Sequence, residues 1–254
     1  MIDTHAHLEG CDDPRAALAR AWDAGVEAVA AVSMDEATGR LALRLAAEDR
    51  RVWPCLGLHP WQVREGTWQD QVDFVERNLH QAAALGEVGL DYKKKIKKQI
   101  QQAALAAQLD LAARHGLTAL VHCRFSERRV LHMLREAGVR AVFHWFAAPD
   151  LLPQVLEQGH FISATPSVAT SPPHRDAVKA CPLERLVLET DTPVTHGGKP
   201  TEPARVVETC RLVAWLKGLT PAEVAATTSA NANALFKQFE AGARGRKPSC
   251  NDPN

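Results

Sequence analysis

The sequence predicts an α/β protein folded as a single-domain (β/α)8 barrel of the TIM type. Eight short apolar runs alternate with amphipathic segments, which is the order of parallel strands joined by crossover helices. Side chains that commonly bind metals end five of these runs, and the carboxyl ends of barrel strands are where such enzymes carry their chemistry. A chain of 254 residues, 46% of them hydrophobic, suits one core of barrel size.

The strands are predicted in the apolar, β-branched runs that turn residues separate. In chain order they are residues 1–8, 28–33, 52–59, 84–91, 118–124, 141–146, 160–165 and 186–190. The metal-ligand types occur on strands one, four, five, six and eight. An open doubly wound sheet would gather such residues at one switch point, so this dispersal favours a closed barrel.

The helices are predicted where apolar residues recur with helical spacing. They are residues 13–24, 38–49, 68–81, 97–115, 126–137 and 149–158, followed after the last strand by 202–217 and 221–239. Gly25, Gly116, Gly138 and Gly159 each follow a helix, as C-terminal caps do. We expect the barrel domain to span residues 1–239 and the tail, 240–254, to be mobile, because it is rich in Gly, Arg, Pro and Asn.

Composition narrows the class of protein. The formal net charge is zero, so no global field attracts nucleic acid or a membrane, and a polyanionic partner must be held locally. The first strand starts at the first two residues, which leaves no room for a secretory signal, and no run reaches the ~20 apolar residues of a membrane span. The six cysteines form no CxxC pair. Free thiols in the cytoplasm are therefore expected. We also expect no obligate protein partner.

The first strand carries a His-x-His pair. Residues two apart on a strand face the same side, so His5 and His7 are expected to bind one cation, with Asp3 below them. The alternative is a pair of hydrogen-bonded core histidines. The paired spacing at the opening strand favours metal ligation.

A carboxylate occupies the end of strand four. Glu87 lies between Gly86 and Gly89, and these glycines allow a ligand to approach the backbone closely. A buried carboxylate is costly without a cation and is able to bridge two divalent ions. An ion pair with Arg or Lys is the alternative. Asp91 follows on the same strand and is either part of the site or a helix cap.

Strands five, six and eight add further candidates. His122 and His144 come late in their strands and offer nitrogen ligands to a second cation. Arg124 shares the face of His122 and suits a phosphate, although it could equally anchor a loop. Glu189 and Asp191 share one face, so one is a ligand or base and the other orients a metal-binding group.

Together these residues resemble the TatD family of metal-dependent hydrolases, which includes TatD-type deoxyribonucleases and belongs to the amidohydrolase-like superfamily. The resemblance covers about residues 1–239. It rests on several motifs in order: DTHAHL (3–8), GLHP (57–60), GEVGLDY (86–92), HCR (122–124), HWF (144–146) and LETDTP (188–193).

The resemblance implies a barrel with a two-metal site that hydrolyses phosphodiesters, commonly by removing nucleotides from DNA ends. It places His5, His7, Glu87 and Asp191 around one ion and Glu87, His122 and His144 around the other. Zinc, manganese or magnesium would serve. His59 matches a position that resembles a substrate phosphate contact in the family, and a strand-end cap is its alternative.

A two-metal mechanism follows from this ligand set. Two divalent ions acidify a bridging water and clamp the phosphoryl oxygens during in-line attack. Glu87, Asp191 and Glu189 are the expected catalytic carboxylates. Asp191, with Glu189 behind it, orients the water or accepts its proton, while Arg124 and His59 neutralise the phosphate.

Substrate contacts are predicted around the site. The lysine run at 93–98 follows strand four directly, so Lys93 is a candidate for binding a DNA backbone, although such runs are also solvated helix starts. Trp61, which follows the GLHP motif, is the first candidate to stack on a base, ahead of Trp145 and Phe146; packing is the alternative for all three. Ala147 and Ala148 stand where the family usually has Ser-Gly, which puts the specificity in question.

Two other functions remain open from the sequence. The same activated water attacks carbonyl groups, so an ester or amide hydrolase such as an aminoacyl-ester deacylase is the main alternative. A non-catalytic adaptor with a structural metal is disfavoured, because a closed structural site needs only four ligands.

Overall fold

The computed structural model describes residues 1–196 and 198–236, so the predicted tail at 240–254 and the end of the predicted 221–239 helix lie outside the described residues. Eight parallel strands pair in chain order, each with its neighbour. They are β1 (Ile2–Ala6), β2 (Ala28–Val32), β3 (Val52–Leu56), β4 (Ala84–Asp91), β5 (Ala119–Arg124), β6 (Ala141–Phe143), β7 (Phe161–Ala164) and β8 (Leu186–Leu188). The predicted (β/α)8 barrel is confirmed.

A helix follows each strand. These are α1 (Pro14–Asp23), α2 (Glu36–Glu48), α3 (Trp68–Asn78), α4 (Lys98–His115), α5 (Glu127–Ala137), α6 (Leu152–Glu157), α7 (Pro172–Ala180) and α8 (Val206–Lys217), and α9 (Pro221–Leu235) comes last. Helix α7 was not predicted from the sequence, where Pro172 and Pro173 are typical of a break. Both prolines lie in the first turn, where a missing N–H costs no helical hydrogen bond. Among the described residues, no helix has the length and apolarity needed to cross a lipid bilayer.

Six strands end earlier than predicted, and site residues lie just beyond the ends of four of them. Strand β1 ends before His7, β3 before His59, β6 before His144 and β8 before Glu189. Extended geometry is lost here, since Trp145 has φ +44° and Asp191 has φ +53°. The turns that leave the strands at the carboxyl end of the barrel therefore carry His7, His59, His144, Glu189 and Asp191. Strands β1, β4 and β5 themselves carry His5, Glu87 and His122.

The barrel closes between the first and last strands. Past the end of β1, the His7 N–H donates to the Thr192 carbonyl at 2.8 Å, and the Asp191 N–H donates to the His5 carbonyl at 3.0 Å. Below them, the buried Asp3 carboxylate accepts from the Thr190 N–H at 3.0 Å and from its hydroxyl at 2.7 Å. Closure therefore places the His-x-His pair beside Asp191.

The other end of the barrel is sealed by α9. Leu235 and Phe236 pack against inward-facing residues such as Leu120 and Val142. The Asn231 amide donates to the carbonyl oxygens of Leu183 and Leu186, which precede or begin β8. The amino end is thus filled by side chains, and the carboxyl end is the open end.

A buried histidine links α7 to the turns after β6 and β7. His174 Nδ1 donates to the Phe146 carbonyl at 2.7 Å, and the Thr165 N–H donates to His174 Nε2 at 3.1 Å. Only a neutral ring fits this pair of bonds, because Nε2 must keep its lone pair. Burial lowers the pKa of His174 to about 4.

We expect His174 to make the fold acid-sensitive. Between roughly pH 6.5 and 4 the unfolded chain protonates this ring while the folded chain does not, so the free energy of unfolding falls as pH falls. The variant His174→Gln should show a smaller slope of this free energy against pH, by up to about 1.4 kcal/mol per pH unit. Urea denaturation at several pH values in this window measures the slope. Equal slopes in the variant and the original protein would contradict the assignment.

Candidate metal centre

The candidate site is a cavity of about 540 Å³ at the carboxyl end of the barrel. Eight predicted site residues line it: His7, His59, Trp61, Glu87, His122, Arg124, His144 and Asp191. His5 and Glu189 are buried beside it and do not line it. Lys93 is exposed and lies outside the lining.

Four ligand atoms converge at one side of the cavity. His5 Nε2 and His7 Nε2 are 3.3 Å apart, and they lie 3.3 and 3.2 Å from Glu87 Oε2. Both nitrogens are 3.8 Å from Asp191 Oδ1. Ligands about 2.1 Å from a tetrahedral ion are separated by about 3.4 Å, so these spacings fit one cation.

The second oxygen of Glu87 faces a different group of imidazoles. Glu87 Oε1 lies 3.1 Å from His122 Nδ1 and 3.9 Å from His144 Nε2. His144 Nε2 also lies 3.9 Å from Asp191 Oδ2. Both carboxylates therefore direct one oxygen to each half of the site.

His59 is close to this second group but differs in its hydrogen bonding. Its Nε2 lies 3.5 Å from Glu87 Oε1, so the three residues His59, Glu87 and His122 also have metal-ligand spacing. The Trp61 N–H donates to His59 Nδ1 at 3.1 Å, which leaves the ring proton on Nε2. An Nε2 that carries a proton is a donor and not a metal ligand, which fits a phosphate contact better.

Glu189 orients His144 from behind. His144 Nδ1 donates to Glu189 Oε1 at 2.8 Å, and the Trp145 N–H donates to the same oxygen at 3.2 Å. The bond fixes the tautomer that leaves the Nε2 lone pair directed at the cavity. Because Glu189 is 1% exposed, its position suits an orienting role better than proton transfer to substrate.

We expect Glu189→Gln to weaken metal binding by about 10- to 100-fold, since partners behind a metal ligand typically contribute that much. Competition with a chromophoric chelator measures the affinity. The exposed Glu184, in the turn before β8, provides the control variant Glu184→Gln. Equal affinities in the two variants would exclude the orienting role.

Asp91 does not cap the following helix. Its Oδ2 accepts from Trp61 Nε1 at 2.6 Å and lies 3.4 Å from His122 Nε2, while its Oδ1 accepts from the Lys93 N–H. Helix α4 begins only at Lys98. Asp91 therefore connects the wall of the cavity, Trp61, to a candidate ligand.

Close packing of β4 on β5 positions His122. Gly89 has φ +147°, and a Cβ at this position would lie 2.0 Å from the His122 carbonyl oxygen. Only glycine allows the two backbones to approach this closely. The glycine that follows Glu87 thus serves the neighbouring strand.

The acidic groups and imidazoles shift one another's ionisation. Burial acts to lower the pKa of His144, but Glu189 and Asp191 raise it to about 10. Burial likewise opposes charge on His7, yet contact with Glu87 holds its pKa well above the usual value. The pKa of Glu87 is held well below its usual value by the imidazoles around it, against the effect of burial. The carboxylates thus favour the protonated, positively charged forms of His7 and His144.

The donor set fits divalent cations. Imidazole nitrogens and carboxylate oxygens converge here, and among the described residues only histidines pair with Glu87 and Asp191. Such mixed sets suit zinc and manganese. Binding a cation would replace the protons that the imidazoles hold, so affinity should rise with pH.

Some lining residues were not identified from the sequence. Glu9 Oε1 lies 3.4 Å from His7 Nδ1, and its spacing two residues after His7 was an available signal. Met34, Cys123 and Val194 give the cavity apolar walls; single apolar residues after strands carry no such signal. Of the other two aromatic candidates for base stacking, Trp145 lines the cavity, whereas Phe146 is 3% exposed and packs in the core.

A family model and the curated relatives identify one family. Residues 2–237 match the family model described as TatD related DNase. An uncharacterized metal-dependent hydrolase TatD from Mycobacterium tuberculosis is 32% identical, over 93% of this chain and 97% of its own length. A 3'-5' ssDNA/RNA exonuclease TatD from Erwinia tasmaniensis is 32% identical, over 86% of this chain and 92% of its own.

A solved structure has the same architecture. The TatD homologue from Escherichia coli K12 superposes with a TM-score of 0.86 at 25% identity, covering 93% of this chain and 97% of the homologue. The resemblance drawn from the motifs is therefore confirmed.

Proposed function

We propose, from the premise that the chain belongs to the TatD-related DNase family, that this metal-dependent hydrolase is an exonuclease-like phosphodiesterase that acts on single-stranded DNA. One observation carries the proposal. The two oxygens of Glu87 face two separate groups of imidazole nitrogens, at 3.2 and 3.3 Å on one side and from 3.1 Å on the other. A carboxylate shared in this way suits a pair of ions better than a single one.

Two divalent ions are assigned to the site. His5, His7, Glu87 and Asp191 would hold one ion, and Glu87, His122 and His144 would hold the other, with zinc or manganese favoured by the nitrogen ligands. Bound in these positions, divalent ions supply positive charge to the phosphoryl oxygens and acidify water.

The remaining residues act on the phosphate and on protons. His59 donates a hydrogen bond from Nε2–H to a non-bridging phosphate oxygen. Arg124 lines the cavity, and its guanidinium has no hydrogen-bond partner among the described residues, so it is available to a second oxygen. Asp191 Oδ2 lies 3.9 Å from His144 Nε2, and we assign to it the proton that the attacking water loses.

The test is hydrolysis of single-stranded oligonucleotides by protein reconstituted with manganese or zinc. We expect release of mononucleotides from one end, loss of that release with a chelator, and recovery when metal is returned. Aminoacyl esters and nucleotide monoesters belong in the same panel. Turnover of an aminoacyl ester with intact oligonucleotide would contradict the proposal and favour the deacylase alternative.

A reducing compartment, the cytoplasm, is the proposed location. The five cysteines among the described residues are all free, as is usual where thiols stay reduced. We propose DNA as the partner and no obligate protein partner.

A further inference from the structure

Phe125 is an exposed aromatic residue next to the cavity. It follows Arg124, which lines the cavity, and it is 71% exposed. The other exposed large hydrophobic side chains among the described residues are Trp215 and Leu219. A single exposed apolar side chain is ordinary on a protein surface, and Phe125 is of interest because it directly follows a residue that lines the cavity.

Hydrogen bonds fix the backbone turn that carries Phe125. Phe125 has φ +56°, a conformation that bulky residues rarely adopt. Ser126 fixes the turn, because its Oγ accepts from the Arg124 N–H at 3.2 Å and donates to the Leu90 carbonyl at 2.6 Å. The turn after β5 is therefore tied to β4.

A basic segment lies alongside. The Tyr92 N–H donates to the Arg124 carbonyl at 2.9 Å, which places the start of the lysine run next to the Phe125 turn. Lys94 Nζ lies 4.0 Å from the centre of the Trp61 ring in the cavity wall. Lys93 and Lys95 are exposed, and no acidic side chain among the described residues pairs with them. Positive charge thus continues from the cavity to Phe125.

The cavity is too small for more than the end of a polymer. A volume of about 540 Å³ is in the range that encloses one small ligand. With a terminal nucleotide inside, the rest of the strand must leave across the rim. An aromatic face among cations matches single-stranded nucleic acid, whose bases stack while its phosphates meet lysines.

We propose that Phe125, together with Lys93 and Lys95, forms an outer subsite that stacks a base of the strand beyond the terminal nucleotide. This inference rests on the proposed function, since it extends the same site. A single phenyl ring surrounded by charge offers too little apolar area for a protein partner. The subsite should make affinity increase with strand length.

Binding is measured with hydrolysis-resistant phosphorothioate strands, so that the metal centre stays intact and the result does not depend on turnover. Fluorescence anisotropy compares a labelled dinucleotide with a labelled twelve-nucleotide strand. We expect Phe125→Ala to weaken binding of the longer strand by about 10- to 100-fold, the effect of losing one stacked base, and to weaken the dinucleotide less. Phe125→Trp should restore the preference for length. Trp215→Ala, which removes a ring 76% exposed on α8, is the matched control.

The lysines have their own readout. Changing Lys93 and Lys95 to Gln should reduce the slope of log affinity against log salt by about 0.7 for each phosphate that the protein no longer neutralises. Equal effects of Phe125→Ala and Trp215→Ala on the longer strand would overturn the subsite. The subsite would also be overturned if Phe125→Ala changed the sedimentation of the protein without nucleic acid and left DNA binding unchanged, because that result identifies Phe125 as part of an interface between protein copies. Absence of hydrolysis by the original protein would count against the proposed function alone.

Discussion

The variant Glu87→Gln should lose nearly all hydrolytic activity while keeping its fold. The amide has the shape of the carboxylate but lacks its charge, and one of its two ends is a donor that repels a cation. Each Glu87 oxygen faces its own group of imidazoles, so both halves of the site are affected. Ion-mediated stabilisation of the transition state amounts to several kcal/mol, and we expect kcat/KM to fall roughly 10³-fold or more.

Two measurements separate this loss from unfolding. Metal analysis should show fewer than two ions bound to each chain of the variant, and the thermal transition should remain cooperative. Glu76→Gln is the control, because Glu76 is an exposed partner of Arg114 and surface ion pairs contribute little. Near-normal kcat/KM in Glu87→Gln would remove the basis for a shared carboxylate.

The second large effect is expected from Gly89→Ala. The added methyl group would lie 2.0 Å from the His122 carbonyl oxygen and 2.9 Å from the His122 backbone nitrogen, so β4 and β5 must separate. We expect a loss of about 3 kcal/mol or more in the free energy of unfolding. His122 would move with its strand, so the second group of ligands should lose its ion before the first.

Gly116→Ala distinguishes crowding from backbone strain. Gly116 caps α4 with φ +63°, and nothing lies within 4 Å of the Cβ it would gain. Gly116→Ala should therefore lower the free energy of unfolding by only about 1 kcal/mol, which is the cost of the left-handed conformation alone. Denaturant titration with and without manganese measures both variants. Similar losses would show that the close approach of the two strands is not limiting.

The local sequence predicted most of the side chains that converge at the carboxyl end of the barrel, because period two on a strand and the position of a strand end are both visible in the chain. The pair His5 and His7 and the late position of Glu87 are examples. Strand ends themselves were misjudged, since β6 stops at Phe143; a positive φ at Trp145 cannot be read from an apolar run.

Features that depend on tertiary contacts could not be predicted from local sequence patterns. Asp91 had two interpretations until Trp61, thirty positions earlier, was found to donate to it. The tautomer of His59 depends on one backbone N–H, and the exposure of Phe125 depends on the turn that Ser126 fixes. Each of these follows from distances between chain segments, which spacing along a sequence does not encode.

The packing of α9 under the barrel restricts how substrate enters and product leaves. With Leu235 and Phe236 filling the amino end, a polymer is unable to pass through the barrel. Substrate and product must therefore use the same opening at the carboxyl end. Under the proposed exonuclease function, a released mononucleotide has to leave by this opening before the shortened strand advances. Product departure should then govern the turnover rate, and a rapid burst of cleavage followed by slower steady turnover would be its kinetic signature.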